Sequence, residues 1–192
     1  MTYAIKPALE ALAKHLDEQL DALAGLDERA AEARAAELFD EVCDAIYEAC
    51  RGYLPHDRIG IALLENDGQI LRAWWARTEY EGVDIYRGYS ASMDASSSLQ
   101  QILDTGEARI LNDLRLYLQE HPQSRPTQRM IYEGIRSSLT GPLVTEGRPL
   151  GFIFFSSRRP DTYDASHVVL LAKITAQLSH VLGRSSLAHL SR

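Results

Sequence analysis

Long apolar runs are missing from this sequence. No uninterrupted apolar stretch approaches the roughly 20 residues that a helix needs to cross a bilayer. The N-terminus, MTYAIKPALEALAKHLDE, mixes acids and bases with leucines and lacks the apolar core of a secretory signal. We therefore expect a cytoplasmic protein that does not bind membranes.

Cysteine is scarce: Cys43 and Cys50 are the only two in the chain. Both lie in a segment of helical periodicity, on one helix face and about 10 Å apart along the axis. That separation is too long for a disulfide within one straight helix. We expect two buried thiols in a helix interface.

Several signatures of catalysis and of nucleic-acid binding are also absent. The 20 Lys and Arg residues are outnumbered by 27 Asp and Glu, and a net charge of −7 repels a polyanion. No glycine-rich phosphate loop or nucleophile elbow occurs, and the six histidines are dispersed. We predict no catalytic residue, no metal site and no nucleic-acid partner.

The composition that remains is typical of a globular domain, with 45% hydrophobic and 24% charged residues over 192 positions. This length accommodates one main domain and an accessory element. We divide the chain into an N-terminal helical extension over residues 1–26, a main domain over 27–183 and a short tail over 184–192.

Apolar periodicity predicts helices at both ends of the chain. Residues 7–24 carry a narrow leucine seam and form a candidate dimerisation helix. Asp27 can cap a second helix that runs to about Arg51, and Asp164 can cap a last helix that ends at Gly183. The seam consists of Leu9, Leu12, Leu16, Leu20 and Leu23.

Two β-hairpins are predicted between these helices. The first pairs residues 59–64 with 69–80 across the turn signal Asn66-Asp67-Gly68. Alternation in its second strand points Trp74 and Trp75 to opposite faces, one into the core and the other toward a cavity. Residues 82–134 then hold short helices near 98–104, 114–119 and 127–134 and a brief strand at 108–111. A connection of this length usually covers a functional surface.

The second hairpin, residues 134–157, carries hydroxyls and a proline on a strand that looks buried. A two-residue turn at Glu146 and Gly147 would pair Leu143 with Leu150 and give the hairpin two unlike faces. The predicted dry face consists of Leu139, Gly141, Leu143, Leu150, Phe152 and Phe154, and the mixed face of Ser138, Thr140, Val144, Pro149, Ile153 and Phe155.

The mixed face raises the question of what its hydroxyls contact. A hydroxyl buried without a partner costs about 1–3 kcal/mol, so Ser138 and Thr140 should meet backbone groups, water or a ligand. A half-polar sheet face under a long insert indicates a pocket. The alternative is a closed core in which the hydroxyls bond to the covering backbone.

Particular residues in the second half of the chain carry a family resemblance. They are Ser137-Ser138-Leu139, Pro142-Leu143, Gly147-Arg148, Leu150-Gly151-Phe152 and Tyr163, and upstream Gly106, Ala108 and Asn112-Asp113 within TGEARILNDL. With the order helix, hairpin, insert, hairpin and closing helix, residues 36–183 resemble a GAF domain, the small-molecule sensing module of many signalling proteins.

The resemblance implies an α+β fold. Its central antiparallel sheet would have the N- and C-terminal helices packed on one face and a ligand cavity on the other, roofed by the insert. GAF dimers commonly join through the terminal helices, so the resemblance also implies a homodimer that signals through helix packing.

The resemblance leaves the ligand open, because GAF domains bind cyclic nucleotides, bilins, haem, iron or amino acids, or no ligand at all. No cysteine follows Arg51, which excludes thioether attachment of a bilin, and the N-K-x-…-D signature of cyclic-nucleotide binders is missing. Some stand-alone GAF proteins are free methionine-(R)-sulfoxide reductases, whose chemistry needs a cysteine on the loops beside the pocket. Cys43 and Cys50 lie on a predicted helix instead.

We interpret the chain as a non-catalytic sensory or regulatory module that binds an unidentified small molecule, with an effector protein acting in trans. The alternative is a structural dimerisation module whose cavity is filled by its own tyrosines. Arg136 is the candidate cation for an anionic ligand, and no cofactor is assigned. The predicted ligand-binding residues are Trp74, Trp75, Tyr86, Tyr89, Tyr117, Tyr132, Arg136, Ser138, Thr140 and Phe155.

Overall fold

The computed structural model describes residues 25–80 and 89–184, together with seven positions between residues 7 and 22. Those seven positions are helical. The leucines of the predicted N-terminal seam, and Tyr86, lie outside the described residues.

The described elements follow the predicted order. They are α1 (Glu28–Cys50), β1 (Arg58–Glu65), β2 (Ile70–Thr78), β3 (Ser90–Ser92), a 3-10 turn (Met93–Ala95), α2 (Ser97–Thr105), β4 (Arg109–Leu111), α3 (Leu114–Glu120), α4 (Arg125–Tyr132), β5 (Ser137–Thr145), β6 (Arg148–Ser157) and α5 (Ala165–Arg184).

Side-chain caps fix where the two long helices begin. The Asp27 carboxylate accepts a hydrogen bond from the backbone N–H of Ala30, and the Asp164 carboxylate accepts from the backbone N–H of Ser166. Each bond satisfies a donor that the first helical turn leaves free. Among the described residues, no helix combines the length and the apolar character that crossing a membrane requires.

The six strands form one antiparallel sheet in the order β3-β2-β1-β6-β5-β4. The two hairpins, β1–β2 and β5–β6, meet at the centre through the pairing of β1 with β6. With helices added before, between and after the hairpins, the architecture is the α+β fold that the resemblance implies.

The sheet has a helix face and an inner face. On the helix face, Leu139, Leu143 and Ile153 share one buried cluster with residues of α1 and α5. Gly141 lies on the same face, and a Cβ there would be 2.7 Å from Leu171 Cδ2 of α5. The inner face is covered by the segment between the hairpins and has a smaller cluster of its own, formed by Leu64, Met93, Ile102 and Phe152.

A β-bulge in β6 corrects the predicted pairing of the second hairpin. Val144 pairs with Pro149, but Leu143 pairs with Gly151, so that Leu150 is an extra residue. A slip of one residue moves every later side chain to the other face of the sheet. From Phe152 onward, β6 therefore presents the opposite faces from those predicted. Phe152 and Phe154 lie on the inner face, whereas Ile153 and Phe155 pack under the helices.

A second bulge corrects the prediction for the two tryptophans. Ile61 pairs with Trp75 and Ala62 with Ala73, which leaves Trp74 as the extra residue of β2. Both indoles consequently pack against the cluster on the helix face. Trp75 belongs to that cluster, and the ring of Trp74 meets Phe39 of α1 edge to face at a centroid distance of 6.4 Å.

Candidate functional site

A cavity of about 200 Å³ lies on the inner face, between the sheet and the segment that covers it. Its floor is made of small residues on the central strands, and a Cβ added at Gly60 would meet nothing closer than 3.9 Å. Large side chains on these strands would fill the space. The floor includes Gly60, Ala62, Ala73 and Ala76, and the walls and roof include Met93, Leu99, Met130 and Phe154.

The hydroxyls of the second hairpin belong to rows of side chains that cross the inner face. Antiparallel pairing aligns Ser138 of β5 with Ser156 of β6, and Ser156 in turn with Arg58 of β1. Residues paired in this way share one face of the sheet. Thr140, two residues further along β5, lies on the same face. Both hydroxyls therefore point away from the helices, as predicted from the sequence.

Arg58 marks the polar end of the cavity. Its Nη1 donates to Glu133 Oε2 at 2.8 Å, and the two side chains are only 20% and 7% exposed. Arg58 and Ser156 both border the cavity, but most of the remaining lining is apolar. The site can therefore hold an apolar body and offer a few polar contacts at one side.

A wider and more polar cleft adjoins this cavity. The cleft encloses about 670 Å³ and is lined by serines around the start of α2, by Tyr117 and His121, and by the start of α4. Tyr89 and Ser92 border both spaces. The rings of Tyr117 and His121 are in contact, tilted by 37° at a centroid distance of 4.3 Å.

The structure brings part of the predicted site together. Tyr89 contributes to the cavity wall, Trp75 borders the cavity from its strand although its indole packs in the helix-face cluster, and Tyr117 lines the adjoining cleft. Tyr132 at the end of α4 is 93% exposed and borders neither space. Whether the residues at the cavity bind a ligand stays a prediction.

Two predicted pocket residues lie on the opposite side of the sheet. Phe155 is fully buried on the helix face, where its ring packs on His56 at a centroid distance of 5.9 Å. Trp74 packs on α1, as described above. The prediction that these two residues line the pocket is wrong, because the two bulges change which side of the sheet each strand presents.

Arg136 is engaged in a structural ion pair. Its Nη2 donates to Asp113 Oδ2 at 2.8 Å, and the other oxygen of Asp113 accepts from the backbone N–H of Arg115 to cap α3. That backbone hydrogen bond and Arg136 hold the pKa of Asp113 below its usual value. Arg136 therefore fixes the start of α3 and is a poor candidate for binding an anion.

Sequence reasoning missed Arg109 of β4. This residue pairs with Thr140, so both side chains lie on the inner face. The guanidinium atoms Nε and Nη1 and the hydroxyl of Thr140 are buried and have no hydrogen-bond partner. A strand arginine flanked by Ala108 and Ile110 was the available signal, because alternation places it beneath the insert.

The cysteines are placed for packing. Cys43 and Cys50 are both 0% exposed within α1, on the helix face. Burial raises the pKa of Cys50 to about 12, which keeps that thiol protonated. Within the part of the chain that the structure describes, no three His, Cys, Asp or Glu side chains cluster closely enough to hold a metal ion.

Comparison with known proteins agrees with this architecture. A family model described as "GAF domain" matches residues 36–182. The chain belongs to the GAF domain family. No curated protein matches the sequence.

Solved structures share the fold at low sequence identity. The phycocyanobilin-bound GAF domain of a cyanobacterial phytochrome is 13% identical, with a TM-score of 0.64 over 94% of this chain and 97% of that one. Free methionine-R-sulfoxide reductase from Neisseria meningitidis, in complex with its substrate, is 13% identical, with a TM-score of 0.64 over 97% and 93%. A domain of a putative two-component sensor histidine kinase from Sinorhizobium meliloti 1021 is 24% identical, with a TM-score of 0.55 over 79% and 96%.

These neighbours establish the fold, and the family model establishes the family. GAF domains occur in sensor proteins and bind small molecules, as the bilin-bound domain of a phytochrome illustrates. One neighbour is an enzyme, so the family alone does not decide between sensing and catalysis.

Proposed function

We propose that this GAF domain is a sensory or regulatory module that binds a small, mainly apolar molecule in the inner-face cavity. The observation that carries the proposal is the floor of glycine and alanine beneath a roof of Met93, Leu99 and Met130. A side-chain-lined void on a sheet costs stability unless something occupies it.

The size of the cavity limits the ligand. An engineered apolar cavity of about 150 Å³ holds benzene, so about 200 Å³ suits one ring with small substituents. Drug-sized ligands occupy roughly 300–1,000 Å³. A tetrapyrrole or a nucleotide would need the roof to move, and the chain has no cysteine beyond Cys50 to attach a bilin.

Occupancy of the cavity can be transmitted through the sheet to the terminal helices. Phe154 borders the cavity, while its neighbour Ile153 packs in the cluster formed with α1 and α5. A ligand that favours one arrangement of Phe154 would shift the packing of those helices by its differential affinity. The output would be read by an effector protein in trans.

Homodimerisation through the N-terminal leucine seam is part of the proposal. The change Leu12→Asp with Leu16→Asp introduces two charges into the seam, and a charge buried in a helix interface is strongly unfavourable. We expect the wild-type chain to sediment as a dimer and the double variant as a monomer with an unchanged circular dichroism spectrum. Sedimentation of both proteins at the same mass would refute this part of the proposal.

Two other functions remain to be distinguished from sensing. A structural dimerisation module would show no binding to the cavity. A sulfoxide reductase would need an accessible thiolate, whereas both thiols are buried in α1 with the pKa of Cys50 raised. The position of the cysteines therefore favours a non-catalytic module.

The variant Ala73→Leu tests the cavity directly. Its larger side chain would occupy the floor, so binding of uncharged aromatic probes (toluene, phenol and indole) should be lost. A probe at ten times its Kd should stabilise the wild type by about 1.4 kcal/mol, a rise in Tm of about 3–6 °C. We expect the rise to disappear in Ala73→Leu, as measured by thermal denaturation with each probe.

The matched control is Ala172→Leu, the same substitution at an exposed position of α5. This variant should keep the full probe-induced rise in Tm. Failure of all three probes to stabilise the wild type, or equal stabilisation of wild type and Ala73→Leu, would overturn the proposed binding site and favour the structural module.

A further inference from the structure

Arg109 is a half-buried cation, two of whose guanidinium nitrogens have no acceptor. Its Nε and Nη1 atoms have no hydrogen-bond partner and are closed off from solvent. Thr140, which pairs with Arg109 across the β4–β5 ladder, is 0% exposed, and its hydroxyl also has no partner. Two side chains on one face of the sheet thus present unused donors to the same region.

No carboxylate compensates the charge of Arg109 among the described residues. Its aromatic neighbour is Tyr117, whose ring centroid lies 5.9 Å from the guanidinium carbon. Burial lowers the pKa of Arg109, and Tyr117 only partly offsets this effect. The side chain of Arg109 is held where its charged form is poorly solvated.

Other arginines of the domain have the carboxylate partner that Arg109 lacks. Arg58 bonds to Glu133, Arg77 to Asp44 and Glu48, and Arg136 to Asp113. Each of these guanidinium groups therefore has a carboxylate within 3.2 Å.

Guanidinium nitrogens that are shielded from water and have no acceptor destabilise a protein. A bound oxyanion removes the defect, because a guanidinium offers several N–H donors that match the oxygens of a carboxylate or phosphate. The hydroxyl of Thr140 can donate to the same group.

We propose that Arg109 and Thr140 bind the carboxylate or phosphate group of a small organic acid, and that this acid is the ligand class of the domain. The inference rests on the proposed function, because Phe154 links the two regions: it pairs directly with Thr140 and borders the apolar cavity. β4 and β6 are two strand spacings apart, about 10 Å. Neither Arg109 nor Thr140 lines the cavity itself, so an acid that binds them from the cavity would have to displace the Phe154 ring that stands between the two regions.

The test uses the variant Arg109→Met, which keeps much of the side-chain volume and removes the charge. Thermal denaturation is followed in sodium benzoate, acetate and phosphate against sodium chloride at equal ionic strength. We expect at least one of the three acids to raise the Tm of the wild type saturably by several degrees beyond chloride. Arg109→Met should lose that rise while its Tm in chloride equals or exceeds that of the wild type.

Arg136→Met is the matched control, since it removes an arginine that already has a carboxylate. It should lower the Tm in chloride and keep the acid-dependent rise. As a direct readout, the ¹Hε–¹⁵Nε resonance that is missing in Arg109→Met should shift in the wild type when the effective acid is added.

Two results would overturn the inference. One is that none of the three acids stabilises the wild type beyond chloride, and the other is that Arg109→Met retains the stabilisation. If uncharged probes still bind in an Ala73-dependent way, the oxyanion site fails while the proposed function stands. If Ala73→Leu has no effect on those probes, the proposed function itself fails.

Discussion

Replacing Gly151 by alanine is expected to destabilise the domain by at least about 3 kcal/mol. Gly151 follows the extra residue of the β6 bulge and has φ 154°, and a Cβ there would lie 2.1 Å from the carbonyl oxygen of Ala62 and 2.8 Å from Leu63 Cα. Both contacts are with the backbone of β1, a central strand, so neither can be relieved by rotating a side chain. The measurement is the free energy of unfolding from chemical denaturation.

Gly147→Ala provides the control for Gly151→Ala. Gly147 has φ 76° in the hairpin turn, and no atom lies within 4 Å of a Cβ built there. In this variant the alanine is strained by the positive φ but meets no clashing atom. Its free energy of unfolding should therefore fall by only about 1 kcal/mol. A loss for Gly151→Ala no greater than that for Gly147→Ala would mean that β1 and β6 are not as close as described.

Phe155→Ala should destabilise the domain by about 3–5 kcal/mol, the usual cost of removing a fully buried aromatic ring. Phe155 is 0% exposed and packs in the cluster with α1 and α5. Because it lies on the helix face, its removal should leave the binding of aromatic probes in the cavity intact once the protein is folded. Chemical denaturation and probe titration together check both expectations.

Phe154→Ala is the comparison that makes this result informative. Phe154 is half-buried and borders the cavity, so its removal should cost less stability and should change probe affinity. If Phe154→Ala were the more destabilising of the two, or if Phe155→Ala were the one to alter probe binding, the register of β6 would be the one first derived from alternation.

The order of elements and the family could be predicted from the sequence because they depend on local signals. Asp27 and Asp164 cap the helices that periodicity indicates, and the turn at Glu146 and Gly147 lies where the hairpin signal places it. The faces of β5 were also predicted correctly, since no irregularity interrupts alternation between Ser138 and Leu143.

The bulges could not be predicted, and they account for the errors at Trp74 and Phe155. Both faces of β6 are apolar, so alternation gives no sign of the extra residue at Leu150. The resulting shift of one residue places Phe154 on the inner face, where Phe155 was predicted. The adjacent tryptophans are assigned to opposite faces by the same rule, which a bulge at Trp74 breaks. Arg109 was overlooked because its isolation depends on which charged residues the fold brings near it.

Methionine methyl NMR under xenon pressure tests the position of the cavity most directly. Xenon enters dry apolar cavities without needing hydrogen bonds. The chain contains three methionines, and Met93 and Met130 border the cavity from its roof. We expect xenon to shift the ε-methyl signals of Met93 and Met130 and to leave unchanged the δ1-methyl signal of Ile174, which lies on the core-facing side of α5. A shift at Ile174 without one at Met93 or Met130 would place the void on the helix face and contradict the proposed site.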